Sequence, residues 1–432
     1  MKKQVYKDKF YTHLDIKKHH TNYQKRVQDI NWVSKHGFYP FIHFQMNCSK
    51  YTSDSEGNKY VKEKNRDIYY AAHIDRFIYE YYGNRLNNKY NNYMRANGIN
   101  RVSTAYRNCT PGKCNIDFAK EVFEYIVKCE SAYIFVGDFS KFFDKIDHKY
   151  LKEKIKCVVG EKALDVADYA IYKNITKFTY IEAQDIETEK KMLRKDMRDL
   201  ERYFEMDEFH EFKKKHLYKN FKDYQIPQGS SISAVYANVY MIDFDKIIND
   251  FITSKKGIYR RYCDDIIIVV PMTRKDVIDR NNEKIANFIY STRDKVPNLE
   301  LNEDKTEHFF YDNGMIKKIK GKSNLINYLG FTFDGKNVRI RDKSVFKFYC
   351  RAYKKIKKVK ESTNEKSFNA GKKAIYHSYT HLGASKYSKD HGNFLTYAYK
   401  ADDVFSRSDV LVSNIRNQVK KHWYKINKKL EE

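Results

Sequence analysis

The chain has 432 residues, and its 83 Lys and Arg against 56 Asp and Glu give a formal charge of +27 at pH 7. This charge favours a polyanionic partner such as nucleic acid, and the length is enough for a sizeable core. No apolar run is long enough to span a membrane, and the first residues lack a signal-peptide pattern. The 7 Cys have no zinc-finger spacing, which predicts free thiols in a reducing cytoplasm.

The predicted elements change character along the chain. Residues 1–60 are basic and aromatic, and a mixed, helix-rich region follows in which a helix opens near Asp75. A short buried strand over 132–136 runs directly into Asp138. The segment 184–220 is rich in Glu, Lys and Arg, with sparse apolar residues at helical spacing, which predicts an amphipathic helical insertion. Its predicted apolar positions are Met192, Leu193, Met197, Leu200 and Phe204.

Three further elements follow the insertion. A turn at Gln228 and Gly229 precedes a predicted helix over 234–241. Two β-forming stretches then flank residues 262–265 (Tyr-Cys-Asp-Asp), which predicts a hairpin with acidic residues at its tip. The last part of the chain is basic with helical periodicity, and in 354–360 the lysines are predicted to face outward.

The carboxylates of this chain predict a metal site. Asp138 at a strand end and Asp264 and Asp265 at a hairpin tip are expected to face one pocket, with the backbone carbonyl of Phe139 as a further oxygen ligand. Mg²⁺ prefers oxygen ligands, and paired ions promote in-line phosphoryl transfer by activating the attacking oxygen and steadying the leaving group. The prediction is two Mg²⁺ ions, with Mn²⁺ as the alternative. An ordinary Asp-Asp turn is the competing interpretation.

The order of these motifs resembles that of reverse transcriptases. The resembling palm segments are residues 138–144 (Asp-x-x-x-Phe-Phe-Asp), 226–233 (Ile-Pro-Gln-Gly-Ser-Ser-Ile-Ser), 262–265, 299–306 and 327–333. Upstream, Lys64-x-Arg66-x-Ile68 with Asp75-Arg76, and Ala105-Tyr106-Arg107, resemble fingers segments of group II intron and related bacterial enzymes. The resemblance spans residues from about 60 to about 340.

The resemblance implies an α+β right-hand polymerase. Residues 1–130 are expected to form an N-terminal extension and fingers, 131–335 a palm in which an antiparallel sheet packs on helices, and 336–432 a helical basic thumb. It further implies catalysis by Asp138, Asp264 and Asp265. The residues expected to contact the nucleotide are Lys64, Arg66, Arg107, Phe143, Gln228, Gly229 and Lys305.

These nucleotide contacts have different expected roles. Lys64, Arg66 and Arg107 are candidates to neutralise the triphosphate, with Arg66 preferred by position, because guanidinium groups match phosphate oxygens. Phe143 would wall the sugar, although core packing is the alternative for this ring. The turn at Gln228 and Gly229 would lie beneath the incoming nucleotide, and Lys305 would protonate the departing pyrophosphate unless it is an ordinary surface lysine.

The implied function is RNA-directed synthesis of DNA from deoxynucleoside triphosphates. The sequence Gln-Gly-Ser-Ser-Ile-Ser at 228–233 is similar to that of the bacterial unknown-group and abortive-infection enzymes, which are associated with phage defence and an adjacent non-coding RNA. A group II intron enzyme is disfavoured because such enzymes usually carry maturase and often endonuclease segments. A retron enzyme is disfavoured because retron enzymes usually carry a Val-Thr-Gly signature, which is missing here. A template-independent or protein-primed polymerase and an inactive RNA-binding scaffold remain alternatives. A second copy or an accessory protein is a further candidate partner.

Overall fold

The computed structural model describes residues 8–53, 59–362, 364–384 and 392–432, with only the backbone described at 48–53, 59, 61, 62 and 64. The helices in this part of the chain are α1 Ile30–Ser34, α2 His73–Ala96, α3 Asn115–Lys128, α4 His148–Val159, α5 Val166–Thr176, α6 Ala183–Lys190, α7 Met206–His216, α8 Ser231–Tyr240, α9 Ile242–Ser254, α10 Arg274–Ile278, α11 Asn281–Arg293, α12 Asp342–Lys360, α13 Glu365–Tyr379, α14 Phe394–Phe405, α15 Ile415–Val419 and α16 His422–Glu431. The strands are β1 Phe41–Ser53, β2 Lys59–Tyr70, β3 Ser131–Asp138, β4 Thr179–Glu182, β5 Tyr218–Lys219, β6 Ile258–Tyr262, β7 Asp265–Pro271, β8 Glu307–Asp312, β9 Met315–Lys320, β10 Ile326–Tyr328, β11 Phe331–Phe333, β12 Asn337–Ile340 and β13 Val412–Ser413.

The chain divides into two structural units, each built from three stretches of sequence. The first unit comprises 1–109, 139–247 and 292–300, and the second comprises 110–138, 248–291 and 301–432. The predicted domain boundaries at 130 and 335 remain predictions.

A mixed sheet organises the first unit. Its strands lie in the order β2-β1-β4-β5, with β1 antiparallel to β2 and parallel to β4. His43 on β1 lies between two carboxylates, with Nδ1 2.7 Å from Glu182 and Nε2 3.0 Å from Asp67. These contacts tie three neighbouring strands together through side chains as well as through the backbone.

Helix α2 is the main helix of the first unit. It begins at His73, close to the predicted start near Asp75, and packs against α8 and α4. Its buried residues recur at helical spacing and include Phe77, Tyr82 and Leu86. The first turn is capped from a distant part of the chain, because the Asp15 carboxylate accepts hydrogen bonds from the backbone N–H groups of His73 and Ile74.

An antiparallel sheet organises the second unit. Within the described residues its strands lie in the order β6-β7-β3-β8-β9, and β3 and β7 form its centre. The central strands are buried along nearly their whole length, which explains their continuous runs of Val, Ile and Phe. The predicted antiparallel palm sheet packed on helices is therefore confirmed.

Helices cover one side of the second unit and extend toward the C-terminus. Residues of α3, α12 and α14 share a hydrophobic core with residues of β3, β7, β8 and the smaller β10-β11-β12-β13 sheet. In α12, Ile356 and Val359 are buried while Lys357 and Lys358 are exposed, as the lysine pattern predicts. The amphipathic helix follows from apolar residues recurring every three to four positions.

The charged insertion differs from its prediction. It contains two helices, α6 and α7, but the five apolar residues at helical spacing, from Met192 to Phe204, lie in turns between them. Met197 and Phe204 are buried, whereas Leu193 is 53% exposed. Lys191 has a left-handed φ of 51° and ends α6 after two turns, so the helical spacing that follows it does not form a helix.

Candidate active site and nucleotide-binding residues

A tight hairpin presents the adjacent aspartates in the second unit. Strands β6 and β7 pair up to Tyr262 and Asp265, which leaves Cys263 and Asp264 as the two turn residues. Cys263 adopts a left-handed φ of 60°, which costs a residue with a side chain roughly 1–2 kcal/mol. Fully buried Arg261 donates from Nη1 to the Cys263 carbonyl at 3.1 Å and holds the turn. The sequence analysis missed this positioning role, although Arg261 directly precedes the motif.

The third aspartate lies on the neighbouring strand. In the antiparallel pairing of β3 with β7, Asp138 is directly opposite Asp265. Its carbonyl also accepts a 2.7 Å hydrogen bond from the backbone N–H of Asn302, which fixes the end of β3. Because side chains at paired positions project to the same face of a sheet, the pairing brings these two predicted catalytic carboxylates together.

The three carboxylates repel one another. Burial, followed by the charges of Asp264 and Asp138, raises the pKa of Asp265 to about 7. Burial and Asp138 also raise the pKa of Asp264 above its usual range. The neighbouring charges disfavour ionisation of Asp264 and Asp265 in partly desolvated positions, so the site gains from a nearby positive charge.

Two basic residues, Lys305 and Arg341, bring positive charge close to these aspartates. The Lys305 ammonium group donates a hydrogen bond to the Asp138 carboxylate, although 44% of the Lys305 side chain remains exposed. Lys305 and Arg341 both lower the pKa of Asp265. The sequence analysis missed Arg341, which precedes α12 and is separated from the hairpin by more than 70 residues, so no local signal marks it.

The donor set fits a hard divalent cation. It consists of carboxylate oxygens that repel one another, which are the ligands that Mg²⁺ and related ions prefer. Lys305 balances part of this charge in the structure. No ready-made group of three or more His, Cys, Asp or Glu side chains with metal-binding spacing occurs among the described residues.

The first unit contains the predicted nucleotide-binding turn. Gln228 accepts a 2.8 Å hydrogen bond from the backbone N–H of Tyr69 on β2, and α8 begins three residues later at Ser231. Gly229 has a φ of 129°, and a Cβ at this position would lie 2.4 Å from the Tyr69 carbonyl oxygen. This close backbone approach requires glycine at 229.

Hydrogen bonds tie this turn to the segment that follows Asp138 in the sequence. Ile226 donates its backbone N–H to the Phe143 carbonyl at 3.0 Å, and Gln225 donates to Ile146 at 2.9 Å. Phe143 is half-buried and meets Phe142 edge-on at 6.0 Å. Phe139 is buried against Phe142 and Phe244. Two segments distant in sequence are therefore neighbours within the first unit.

The three predicted phosphate-binding cations have different surroundings. Arg66 is exposed on β2, opposite Met46 of β1, and is available to a ligand. Lys64 lies on the same strand, but its side chain is outside the described part of the structure.

Arg107 has a different role from the one predicted. Its side chain is buried, and its guanidinium donates to the Asn91 side chain, to the Asn100 carbonyl and side chain, and to the Ser103 carbonyl. These bonds use most of the N–H groups of the guanidinium. Arg107 therefore fixes the loop that follows α2 instead of facing a triphosphate, which corrects the prediction.

Comparison with known families adds a decisive observation. Residues 76–333, more than half of the chain, match the reverse transcriptase (RNA-dependent DNA polymerase) family. The chain belongs to this family. It is thus a nucleotidyltransferase of the RNA-directed DNA polymerase type, and the α+β polymerase fold is confirmed. Enzymes with this domain generally use divalent metal ions.

Solved structures similar to this reverse transcriptase include telomerases. Apo telomerase from Candida tropicalis, truncated from its C-terminal domain, is 12% identical with a TM-score of 0.42, over 72% of this chain and 58% of that chain. Telomerase from Candida albicans in complex with a TWJ fragment of telomeric RNA is 10% identical with a TM-score of 0.44, over 90% of this chain and 63% of that chain. The reverse transcriptase thus spans less than two thirds of either telomerase chain. No curated protein sequence matched it.

The described helices contain no segment with the length and apolar character needed to cross a lipid bilayer.

Proposed function

We propose that this reverse transcriptase joins deoxynucleotides to a primer at the site formed by Asp138, Asp264 and Asp265, using two Mg²⁺ ions. The observation that carries the proposal is the pairing of Asp138 with Asp265 across β3 and β7, with Asp264 beside them in the hairpin turn. The raised pKa values of Asp264 and Asp265 support it, because crowded carboxylates favour a cationic ligand.

The protein contributes ligands and charge to this chemistry. The three carboxylates, together with the carbonyl of Phe139, would hold the ions, and Mn²⁺ is the alternative metal. When bound, divalent ions activate the primer 3′ oxygen and stabilise the charge on the leaving pyrophosphate. Lys305, which contacts Asp138 in the structure, would move to the pyrophosphate and donate a proton to it.

The nucleotide is proposed to use the turn at Gln228 and Gly229. The absence of a side chain at Gly229 keeps the backbone of this turn close to β2, and Arg66 on the same strand is exposed and available to triphosphate oxygens. Lys64 would add a second cation, and Phe143 would contact the sugar. Arg107 is left out of this set because its guanidinium is bonded internally.

The biological role is proposed from the resemblance of the 228–233 motif to those of defence-associated bacterial enzymes. The template would be an associated non-coding RNA, copied into DNA in the cytoplasm as part of a response to phage. The fingers, palm and thumb would correspond to 1–130, 131–335 and 336–432.

The test is sequencing of all nucleic acid that co-purifies with the protein from cells. The wild type is compared with Asp264→Ala/Asp265→Ala, which removes both hairpin carboxylates. We expect one dominant RNA in both samples and complementary DNA only in the wild type. Equal DNA in the two samples would refute the assigned site.

Three other results would redirect the proposal. Bound RNA without wild-type-specific DNA, both before and after phage infection, would favour an RNA-binding scaffold. DNA of simple sequence that matches no RNA would indicate untemplated synthesis. DNA that remains covalently bound after denaturation of the protein would identify protein priming.

A further inference from the structure

A cavity in the first unit is formed by three parts of the chain. It has a volume of about 650 Å³ and lies between the N-terminal segment at Phe10–Thr12, strands β1 and β2, and the charged insertion. This volume is within the range of roughly 300–1,000 Å³ typical of small-molecule and cofactor sites. We call it the insertion cavity. The residues that line it include Phe10, Phe44, Tyr70, Leu193, Arg194 and Arg198.

Hydrogen bonds between the N-terminal segment and the insertion fix the walls of the cavity. The Thr12 hydroxyl lies 2.8 Å from the Met197 carbonyl and 3.0 Å from the Arg198 carbonyl. Tyr203 donates its backbone N–H to the His13 carbonyl at 2.8 Å. The insertion is also anchored by a core that includes Met197 and Tyr203. The cavity is therefore a preformed feature of the fold.

Aromatic and apolar side chains line the cavity and remain partly exposed. Phe10 is 52% exposed and Leu193 is 53% exposed, although both are large apolar residues. Phe44 and Tyr70 meet edge-on at 6.0 Å on the sheet side. The half-exposed Phe10 ring offers a flat face on which an unpaired base can stack.

Positive charge accompanies these rings. Arg194, Lys195 and Arg198 contribute three cations to the lining. Among the described residues of the lining, Glu187 is the one acidic residue, and its carboxylate accepts a hydrogen bond from the backbone N–H of Arg194 at 2.8 Å. The Arg194 guanidinium stacks on the Phe44 ring at 4.1 Å, and its Nη1 is buried without a hydrogen-bond partner among the described residues. With three cations and one carboxylate, the lining carries a net positive charge that favours an anionic ligand.

We propose that the insertion cavity binds an unpaired nucleotide of single-stranded RNA. The base would stack on the aromatic lining, and Arg194, Lys195 and Arg198 would contact the flanking phosphates. Charge complementarity favours RNA over an apolar protein segment, which would leave three cations without partners. The cavity has room for one unstacked base but not for a duplex. It would give the 184–220 insertion a function in holding RNA that is separate from nucleotide transfer.

The test is photocrosslinking and binding of RNA by the full chain without deoxynucleotides and with a chelator present. The probe is a fluorescent oligouridine of about a dozen nucleotides that carries one thiouridine. Crosslinked peptides are identified by mass spectrometry, and affinity is measured by anisotropy at several salt concentrations. Catalysis contributes nothing to these readouts, so their failure and that of the proposed polymerase site are distinguishable.

Three variants separate stacking from charge. Phe10→Leu keeps an apolar side chain but removes the ring, and we expect about tenfold weaker binding, whereas Phe10→Tyr binds like the wild type. Affinity falls as salt rises, and Lys195→Ala/Arg198→Ala should make this dependence weaker. The slope of log affinity against log salt should become less negative by about 1.4, at roughly 0.7 per lost phosphate contact.

The matched control removes two cations from the same insertion. Lys214 and Lys215 are exposed on α7 and do not line the cavity, so Lys214→Ala/Lys215→Ala should crosslink and bind like the wild type. Crosslinks to Phe10 or to the 193–203 segment would support the proposal. Crosslinks only elsewhere, or equal affinity in all variants, would overturn it. A co-purifying protein that occupies the cavity while RNA binding is unchanged would also overturn it.

Discussion

Gly229→Ala tests the proposed nucleotide-binding turn most directly. The added Cβ would lie 2.4 Å from the Tyr69 carbonyl oxygen, which is closer than nonbonded atoms approach, and 3.3 Å from its carbonyl carbon, which is a tight contact. The φ of 129° at this position is also strained for any residue with a side chain. The turn must therefore move away from β2 or change its backbone conformation.

The cost follows from these two effects. The backbone strain is about 1–3 kcal/mol, and movement away from β2 breaks the Tyr69–Gln228 hydrogen bond, which is worth roughly 0.5–1.5 kcal/mol. We expect Gly229→Ala to reduce the free energy of unfolding by about 2–4 kcal/mol. Displacement of the turn should also raise the KM for deoxynucleotides.

Urea unfolding and single-nucleotide incorporation measure these two effects. Gly98→Ala is the matched control, because Gly98 has a left-handed φ of 72° but no atom within 4 Å of the added Cβ. This control should lose only about 1–2 kcal/mol and keep the wild-type KM. Equal stability of the two variants, with an unchanged KM for Gly229→Ala, would refute the argument from close approach.

Four further predictions concern single side chains. Lys305→Arg keeps the charge beside Asp138 but is a poor proton donor, so kcat should fall about 100-fold with little change in KM. Arg66→Ala should raise the KM for deoxynucleotides without loss of stability, whereas Arg107→Ala should lower the free energy of unfolding by about 2–4 kcal/mol because its buried partners lose their hydrogen bonds. Burial, with the charge of Lys320, lowers the pKa of His308 to about 4. The unfolded chain therefore binds a proton below about pH 6.5 that the folded chain does not, and stability falls as pH drops from 6.5 toward 4.

Each of these predictions has a contradicting result. Wild-type kcat in Lys305→Arg would leave Lys305 with a purely electrostatic role. Similar KM values for Arg66→Ala and the wild type would remove Arg66 from the site, and a stable Arg107→Ala with a raised KM would restore Arg107 to it. His308→Asn cannot titrate, so its loss of unfolding free energy between pH 6.5 and 4.5 should be about 2–3 kcal/mol smaller than that of the wild type. Equal losses would contradict the lowered pKa.

The sequence predicted the elements that carry local signals. The β-forming stretches around residues 262–265 form the β6–β7 hairpin, and Gly229 lies in a turn before a helix, as predicted. It failed in the insertion, where helical spacing beyond Lys191 gave turns. It also failed for Arg107, because motif position does not show whether the residue itself lies at the surface or inside the unit.

By itself, the sequence determined the family and the antiparallel sheet and helices, and it predicted the three aspartates of the site, since motif order and periodicity are properties of the chain. Only the tertiary structure decided that Asp265 lies opposite Asp138, that Arg341 lowers the pKa of Asp265, and that Arg107 is bonded internally. It also decided that the N-terminal segment and the insertion enclose a cavity. Apart from the bonds of Arg107, whose partners lie within 16 residues of it, these contacts join residues far apart in sequence. They depend on strand register and packing, which local patterns do not encode.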